Sequence, residues 1–167
     1  MNNFIINADT EKQDKNNRAL IIQKLKLAYG GEHGELNSAA LFIYNFYSFK
    51  RLDDFDGAEL MLNIAVSDLK HFKMLCELMI SLGIDPIYAC YPPCQTDFYW
   101  SAKKGYSDSP KKMLSDGVAF KLNAISDYKR LLSVVKNSDI ENAVKQILKE
   151  EKRHLRLINA MLKGYNS

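Results

Sequence analysis

All four prolines of this 167-residue chain, Pro86, Pro92, Pro93 and Pro110, fall inside one stretch, residues 84–110. Proline breaks a helix interior, so long helices can form only in the two segments that flank this stretch. Both segments are patterned for them. Apolar residues recur at alternating spacings of three and four over 33–49, 58–82, 111–135 and 140–162, as in helices buried along one seam. Asp53, Asp54, Asp56 and Gly57 form a short turn within the first pair, and Asn137, Ser138 and Asp139 one within the second, so each pair is predicted to be antiparallel. Gly83 marks the end of the second helix, and Ser109-Pro110 is a favourable start for the third. A connection of 27 residues without helical period is unusual unless it serves the topology. It can carry the chain from one end of a bundle to the other, leaving the second and third helices parallel. The predicted fold is an all-α, up-down four-helix bundle with one long crossover between the second and third helices.

The remaining segments are read by the same criteria. Residues 1–17 are polar and aperiodic and are expected to be a loose tail. Residues 20–28 are read as a short helix ending at Gly30 and Gly31, so the bundle domain is expected to span 18–165. Tyr88, Tyr91, Phe98, Tyr99 and Trp100 in the crossover are expected to lie over the bundle or a partner, because solvated they would leave a large apolar patch.

Composition narrows the function classes. Eight glycines and four prolines argue against a turn-rich sandwich or barrel, and 47% hydrophobic residues are enough for one core. The longest apolar run, 39–44, is far below the roughly 18 residues of a membrane span. The first residues lack the basic start and apolar run of a signal peptide, so a cytoplasmic location is expected. The net charge of +3 divides into −4 over residues 1–102 and +7 over 103–167. Lys145, Lys149, Lys152, Arg153 and Arg156 surround a helix whose other side is apolar, which reads as a solvated face and not as a nucleic-acid surface. Cys76, Cys90 and Cys94 are odd in number and form no Cys-x-x-Cys, and are read as reduced thiols.

The informative residues are the ones that interrupt the seams. Over 140–162 the seam is Ile140, Val144, Ile147, Glu151, His154, Ile158 and Met161; over 58–82 it is Ile64, Asp68, His71, Leu75, Leu78 and Leu82. Each carries an acid with a histidine three residues later, on the same helical face. The seam over 33–49 is Glu35, Ala39, Phe42, Phe46 and Phe49; that over 111–135 is Leu114, Val118, Lys121, Ile125, Tyr128, Leu132 and Val135. Buried charges are normally paired or bound to metal. Two acid-x-x-His pairs facing two single carboxylates are the arrangement of di-iron and di-manganese helical bundles.

The chain also resembles a known group, the bacterial ferritin-like proteins related to manganese catalase, the ferritin-like spore-coat proteins and rubrerythrin. The resemblance covers about residues 20–163. It rests on Ala28-Tyr-Gly-Gly-Glu-His-Gly-Glu-Leu, Ser81-Leu-Gly-Ile-Asp-Pro-Ile-Tyr, Tyr99-Trp-Ser-Ala, Tyr106, Lys112-Met-Leu, Ala124-Ile-x-x-Tyr128 and Glu150-Glu-x-x-His154. It implies metal-ligand roles for Glu35, Asp68, His71, Glu151 and His154, with Tyr128 as a nearby hydrogen bonder or redox-active neighbour. It also implies iron or manganese as cofactor and peroxide or dioxygen as the small oxidant substrate; a homodimer is expected as well.

The chain departs from this pattern at Lys121, which stands where the resemblance calls for a bridging glutamate. Asp68 is one methylene shorter than the glutamate expected beside it. Glu35, Asp68, Glu151 and Lys121 together carry −2, which balances one divalent ion, whereas four carboxylates balance two. Lys121 is therefore expected to project its ammonium into the site and occupy one of two metal positions, leaving one ion or none. The competing expectation is a non-catalytic structural or coat-type protein with a metal-free ion-pair network in the same place, in which Lys121 pairs with Glu35 or Glu151.

Overall fold

The computed structural model describes residues 8–87, 107 and 109–165 and consists of five helices: α1 (Ala8–Gly30), α2 (Glu35–Arg51), α3 (Phe55–Ser81), α4 (Pro110–Leu132) and α5 (Ser138–Gly164). The last four are the four predicted from the apolar period. The ends are set by local chemistry. The Asp54 side chain accepts from the Gly57 amide at the start of α3, and Asn137 accepts from the Asp139 and Ile140 amides at the start of α5. Ser109 caps α4 with Pro110 in its first turn. Past the end of α3, Gly83 has φ +71, and the Ile84 amide reaches back to the Met79 carbonyl. A residue with a side chain would be strained in that left-handed conformation.

The buried apolar residues fall into two clusters. One contains Phe42 and Phe49 of α2, Ala58, Met61 and Ile64 from the first half of α3, Met113 and Leu114 from the start of α4, and Ile158 from the end of α5. The other contains Leu75 and Met79 from the end of α3, Ile125, Tyr128 and Leu131 from the end of α4, and Ile140, Val144 and Ile147 from the start of α5. Helices α3 and α4 therefore run parallel, with α2 and α5 antiparallel to them. This is the up-down topology with one long crossover. The crossover aromatics Tyr88, Tyr91, Phe98, Tyr99 and Trp100 lie outside the described residues.

Several expectations are corrected. Residues 8–17 belong to helix α1, not to a loose tail, and the short helix expected over 20–28 is the second half of that helix. It packs Leu25, Ala28 and Tyr29 onto the second cluster, and Tyr29 stacks on Phe72 with ring centroids 4.4 Å apart. Helix α4 ends at Leu132, and its inward residue there is Leu131, because a 3.6-residue turn drifts from the strict heptad that selected Leu132 and Val135. The same drift replaces Leu78 by Met79 on α3. On α2 the inward face includes Ser38, Asn45 and Ser48, while Phe46 is only partly buried.

Candidate metal centre

Between the two apolar clusters lies a layer of buried polar side chains: Glu35 and Ser38 from α2, Asp68 and His71 from α3, Lys121 from α4, and Glu151 and His154 from α5. The turn from α1 to α2 aims the first of these. Gly34 precedes α2, and a Cβ there would come within 2.8 Å of the Leu27 carbonyl and 2.7 Å of the Gly31 amide nitrogen. This tight approach brings Glu35, the first residue of the helix, inward with only 2% of its surface exposed.

Lys121 is fully buried and sits at the centre of the layer. Its Nζ donates to Asp68 Oδ1 and Oδ2 at 2.8 and 2.9 Å, to Glu151 Oε1 at 2.9 Å and to Ser38 Oγ at 3.1 Å. The Ser38 hydroxyl in turn donates to Asp68 Oδ2 at 2.6 Å. The Phe42 ring lies below the ammonium, 5.1 Å from Nζ to its centroid. Burial disfavours the charged amine, but the carboxylates of Asp68 and Glu151 outweigh it and hold the lysine above its ordinary range. Lys121 is thus a permanent cation, paired with Asp68 and Glu151 and not with Glu35. Burial likewise works against an ionised Glu151, and the Lys121 ammonium overcomes it, keeping that carboxyl well below the usual carboxylate range.

Around this cation the five residues singled out by the resemblance converge. His71 Nδ1 is 3.5 Å from Glu35 Oε2, 3.6 Å from Glu151 Oε1 and 4.0 Å from Asp68 Oδ1. His154 Nδ1 is 3.1 Å from Glu151 Oε1 and 3.6 Å from Asp68 Oδ1. The Tyr128 hydroxyl donates to Glu35 Oε1, and burial together with that carboxylate keeps the phenol protonated to well above its usual pKa. Burial lowers the basicity of His71, but the Glu151 and Glu35 carboxylates more than compensate and push its pKa up to about 10.

The donor set offers ligand atoms for a metal ion. Glu35, Asp68, His71 and Glu151 each offer a ligand atom within 4.8 Å of the others, and all four are buried. Among the described residues, Glu35 Oε2, His71 Nδ1 and Glu151 Oε2 are buried side-chain atoms with no hydrogen-bond partner. Ligands at about 2.1 Å from one ion lie roughly 3.0–3.4 Å apart, close to the 3.5 Å between Glu35 Oε2 and His71 Nδ1. His154 stands outside this foursome, with its Nδ1 facing Glu151 Oε1 and Asp68 Oδ1, oxygens that also accept from Lys121.

Two residues of the site escaped the sequence reading. Ser38 is a hydroxyl on a helix whose seam was read as apolar and acidic. Glu150, which lies 3.0 Å from His71 Nε2, sits off the α5 seam and was noticed only as part of the Glu-Glu-x-x-His string.

The topology is that of a ferritin-like four-helix bundle. By sequence, no family model and no curated protein matches the chain. By structure it is similar to the manganese catalase KatB from Anabaena, with a TM-score of 0.74 and 16% identity over 90% of this chain and 74% of that one. It is equally similar to the Desulfovibrio desulfuricans bacterioferritin, a protein with a diiron site: TM-score 0.74 and 19% identity over 89% of this chain and 81% of the other. The chain thus shares its fold with these two proteins. No helix among the described residues is long and apolar enough to cross a membrane.

Proposed function

We propose that this protein is a single-cation variant of the ferritin-like metal site. Glu35, Asp68, His71 and Glu151 would hold one divalent iron or manganese ion, and the Lys121 ammonium stands in for the second. The observation that carries this reading is the contrast between the two halves of the site. Lys121 has hydrogen-bond partners on three sides, whereas Glu35 Oε2, His71 Nδ1 and Glu151 Oε2 are buried with none. An unsatisfied buried carboxylate oxygen costs free energy, and a cation among these three atoms removes that cost.

Burial pushes the Asp68 carboxyl well above the usual carboxylate range and the Lys121 ammonium works against that; with Asp68 held ionised by the donors from Lys121 and Ser38, three carboxylates and one ammonium leave −2, the charge of one divalent ion with neutral histidines. Carboxylate and imidazole ligands suit iron, manganese or zinc. A bound iron or manganese ion would supply a Lewis acid and a one-electron couple. Asp68, with both oxygens engaged by Lys121, would be the weakest of the four ligands. Tyr128 fixes Glu35 through Oε1 and leaves Oε2 free. A second divalent ion would meet the ammonium at close range in a low-dielectric interior, which weighs against two-metal peroxide chemistry.

One observation favours a second reading, a metal-free structural bundle. With a pKa of about 10, His71 is cationic at neutral pH in the absence of metal, and with Lys121 it offsets most of the carboxylate charge. Elemental analysis and Mn(II) titration of the purified chain separate the two. One tightly bound ion per chain is expected. No binding would favour the structural bundle, and two ions would end both readings.

A further inference from the structure

Helix α5 gathers positive charge on its outer side. Lys145, Lys149, Lys152, Arg153 and Arg156 are all exposed. Among the described residues, Lys145 alone of these five has a carboxylate within ion-pair distance, that of Glu141 one turn earlier. A solvated face of this kind is ordinarily polar throughout, and this one is not. Leu148, 7% exposed, and Leu155, partly buried, pack against the apolar cluster that contains Val144 and Ile147. Together with Lys145, Lys149, Lys152 and Arg156 they line a cleft of about 550 Å³, within the range of roughly 300–1,000 Å³ typical of binding clefts. The two leucines are seven residues apart and share one helical face, while the four cations follow one another at spacings of four, three and four. The cleft is therefore about 16 Å long, with an apolar floor and one positive charge per turn. Like charges at these helical spacings repel one another, so the empty cleft stores a repulsion that an anionic occupant removes.

We propose that this cleft is the docking groove for an acidic amphipathic helix of another protein. The distribution of charge selects that occupant. A fatty acid carries its charge at one end, whereas the cleft presents a cation at every turn. A nucleic-acid backbone repeats its charges but has nothing apolar to set on Leu148 and Leu155. A flat bilayer does not reach leucines recessed between lysine side chains. An amphipathic helix satisfies both features: apolar residues at i, i+3 or i+4 and i+7 enter between the cations and meet the leucines, and acids on the flanks pair with Lys145, Lys149, Lys152 and Arg156. The methylene stems of these four side chains then add to the apolar contact. A second copy of this chain matches poorly, because the exposed apolar stripe of α3 carries Lys70 and Lys73 beside Glu59 and Glu77 and would set cation against cation. This docking goes beyond the cation-site reading and stands without it.

The test titrates the full chain with a synthetic helical peptide that has leucine at i, i+3 and i+7 and glutamate on both flanks. A second peptide of the same composition, with its leucines scattered round the helix, is the control. Calorimetry gives the affinity and the methyl NMR signals of Leu148 and Leu155 give the place. Micromolar binding of the striped peptide is expected for so small an interface, weakening as salt is raised and shifting both leucine signals. The scattered peptide should bind more weakly. Lys149→Glu with Lys152→Glu should weaken the striped peptide at least about tenfold, whereas Lys149→Arg with Lys152→Arg should retain it. All four changes are at exposed positions, and unchanged thermal melts separate a lost contact from a lost fold. The proposal is overturned if the striped peptide does not bind, if the two peptides bind equally, if the charge reversal has no effect, or if the leucine signals stay in place. It is also overturned if duplex DNA or phosphatidylglycerol vesicles bind more tightly than the striped peptide and are released by the same charge reversal.

Discussion

Replacing Lys121 by glutamate should make the stability of the fold depend far more strongly on bound metal. The ammonium bonds to both oxygens of Asp68 and to Glu151 at 2.8–2.9 Å, with all three groups fully buried. Removing one partner of a buried ion pair costs about 3–5 kcal/mol, because the other charge is left uncompensated. Here two carboxylates lose their counterion and a third is added, taking the four-residue charge from −2 to −4. In metal-free buffer Lys121→Glu should therefore lose at least about 3–5 kcal/mol against urea, a large part of the stability of a typical domain. Metal should restore it. Each site at a hundredfold excess over its Kd contributes about 2.7 kcal/mol, so two ions offset about 5 kcal/mol. The shorter glutamate also vacates the space that Nζ occupies, leaving room for an ion at bond lengths of about 2.0–2.2 Å. Urea titrations with and without Mn(II), paired with elemental analysis, are the assay. The reasoning fails if the metal-free variant is as stable as wild type, if Mn(II) leaves its midpoint unmoved, or if it still holds no more than one ion.

Other outcomes follow from the same geometry. Adding Asp68→Glu to Lys121→Glu should tighten the second ion, since the extra methylene lets that carboxylate bridge; Mn(II) isotherms that overlay for the single and double variants would contradict this. Tyr128→Phe deletes the hydrogen bond to Glu35 Oε1 in a buried setting and should cost about 1–3 kcal/mol, with an unshifted urea midpoint as the contrary result. In the metal-free protein His71 has a pKa of about 10 against an ordinary 6.5. Its contribution to stability is complete below pH 6.5 and is lost as pH rises through about 10, so the gap between wild type and His71→Gln should narrow over that range. For the same reason Mn(II) binding at pH 7 should expel about one proton from His71, and a binding enthalpy independent of buffer ionisation would refute this. Phe55, Val66, Leu69 and Ile80 share the outward face of α3 by helical spacing and are 65, 43, 46 and 62% exposed. We expect this stripe to pair two copies of the chain, so that Val66→Glu with Leu69→Glu gives monomers by sedimentation; a monomeric wild type would dismiss it.

The seams were legible because a charge inside an apolar period is hard to overlook. Asp68, His71, Glu151, His154 and Lys121 each broke a repeat of leucines, isoleucines and valines, and the repeat itself said which way they faced. Ser38 gave no such signal: α2 is lined by small polar and aromatic residues alike, and a serine is as common outside as inside. Glu150 was hidden for the opposite reason, since its place off the seam marked it as solvent-facing, which in part it is. The first half of α1 could not be read from periodicity at all. Residues such as Glu11, Lys12, Gln13 and Lys15 favour helix intrinsically but draw no apolar stripe, and a criterion built on burial passes over them. The partner of Lys121 was the finest detail missed, because whether an ammonium reaches Asp68 or Glu35 depends on a few ångströms of rotation that spacing does not encode.

The polar layer also acts on the way the helices line up. Ser38, Asp68, Lys121 and Glu151 come from four different helices and meet at one level. Leucine and isoleucine seams tolerate sliding, because one apolar contact resembles the next. A slip of one turn moves a helix by about 5.4 Å, and here that would strand a buried lysine among methyl groups. Shifted alignments therefore carry a penalty of several kcal/mol that the native alignment does not, as a single buried polar residue sets the register of a coiled coil. The four side chains behave as an alignment mark written across the bundle. A chain that kept its apolar seams but replaced all four by leucine would gain hydrophobic surface and lose its instruction for how to stack.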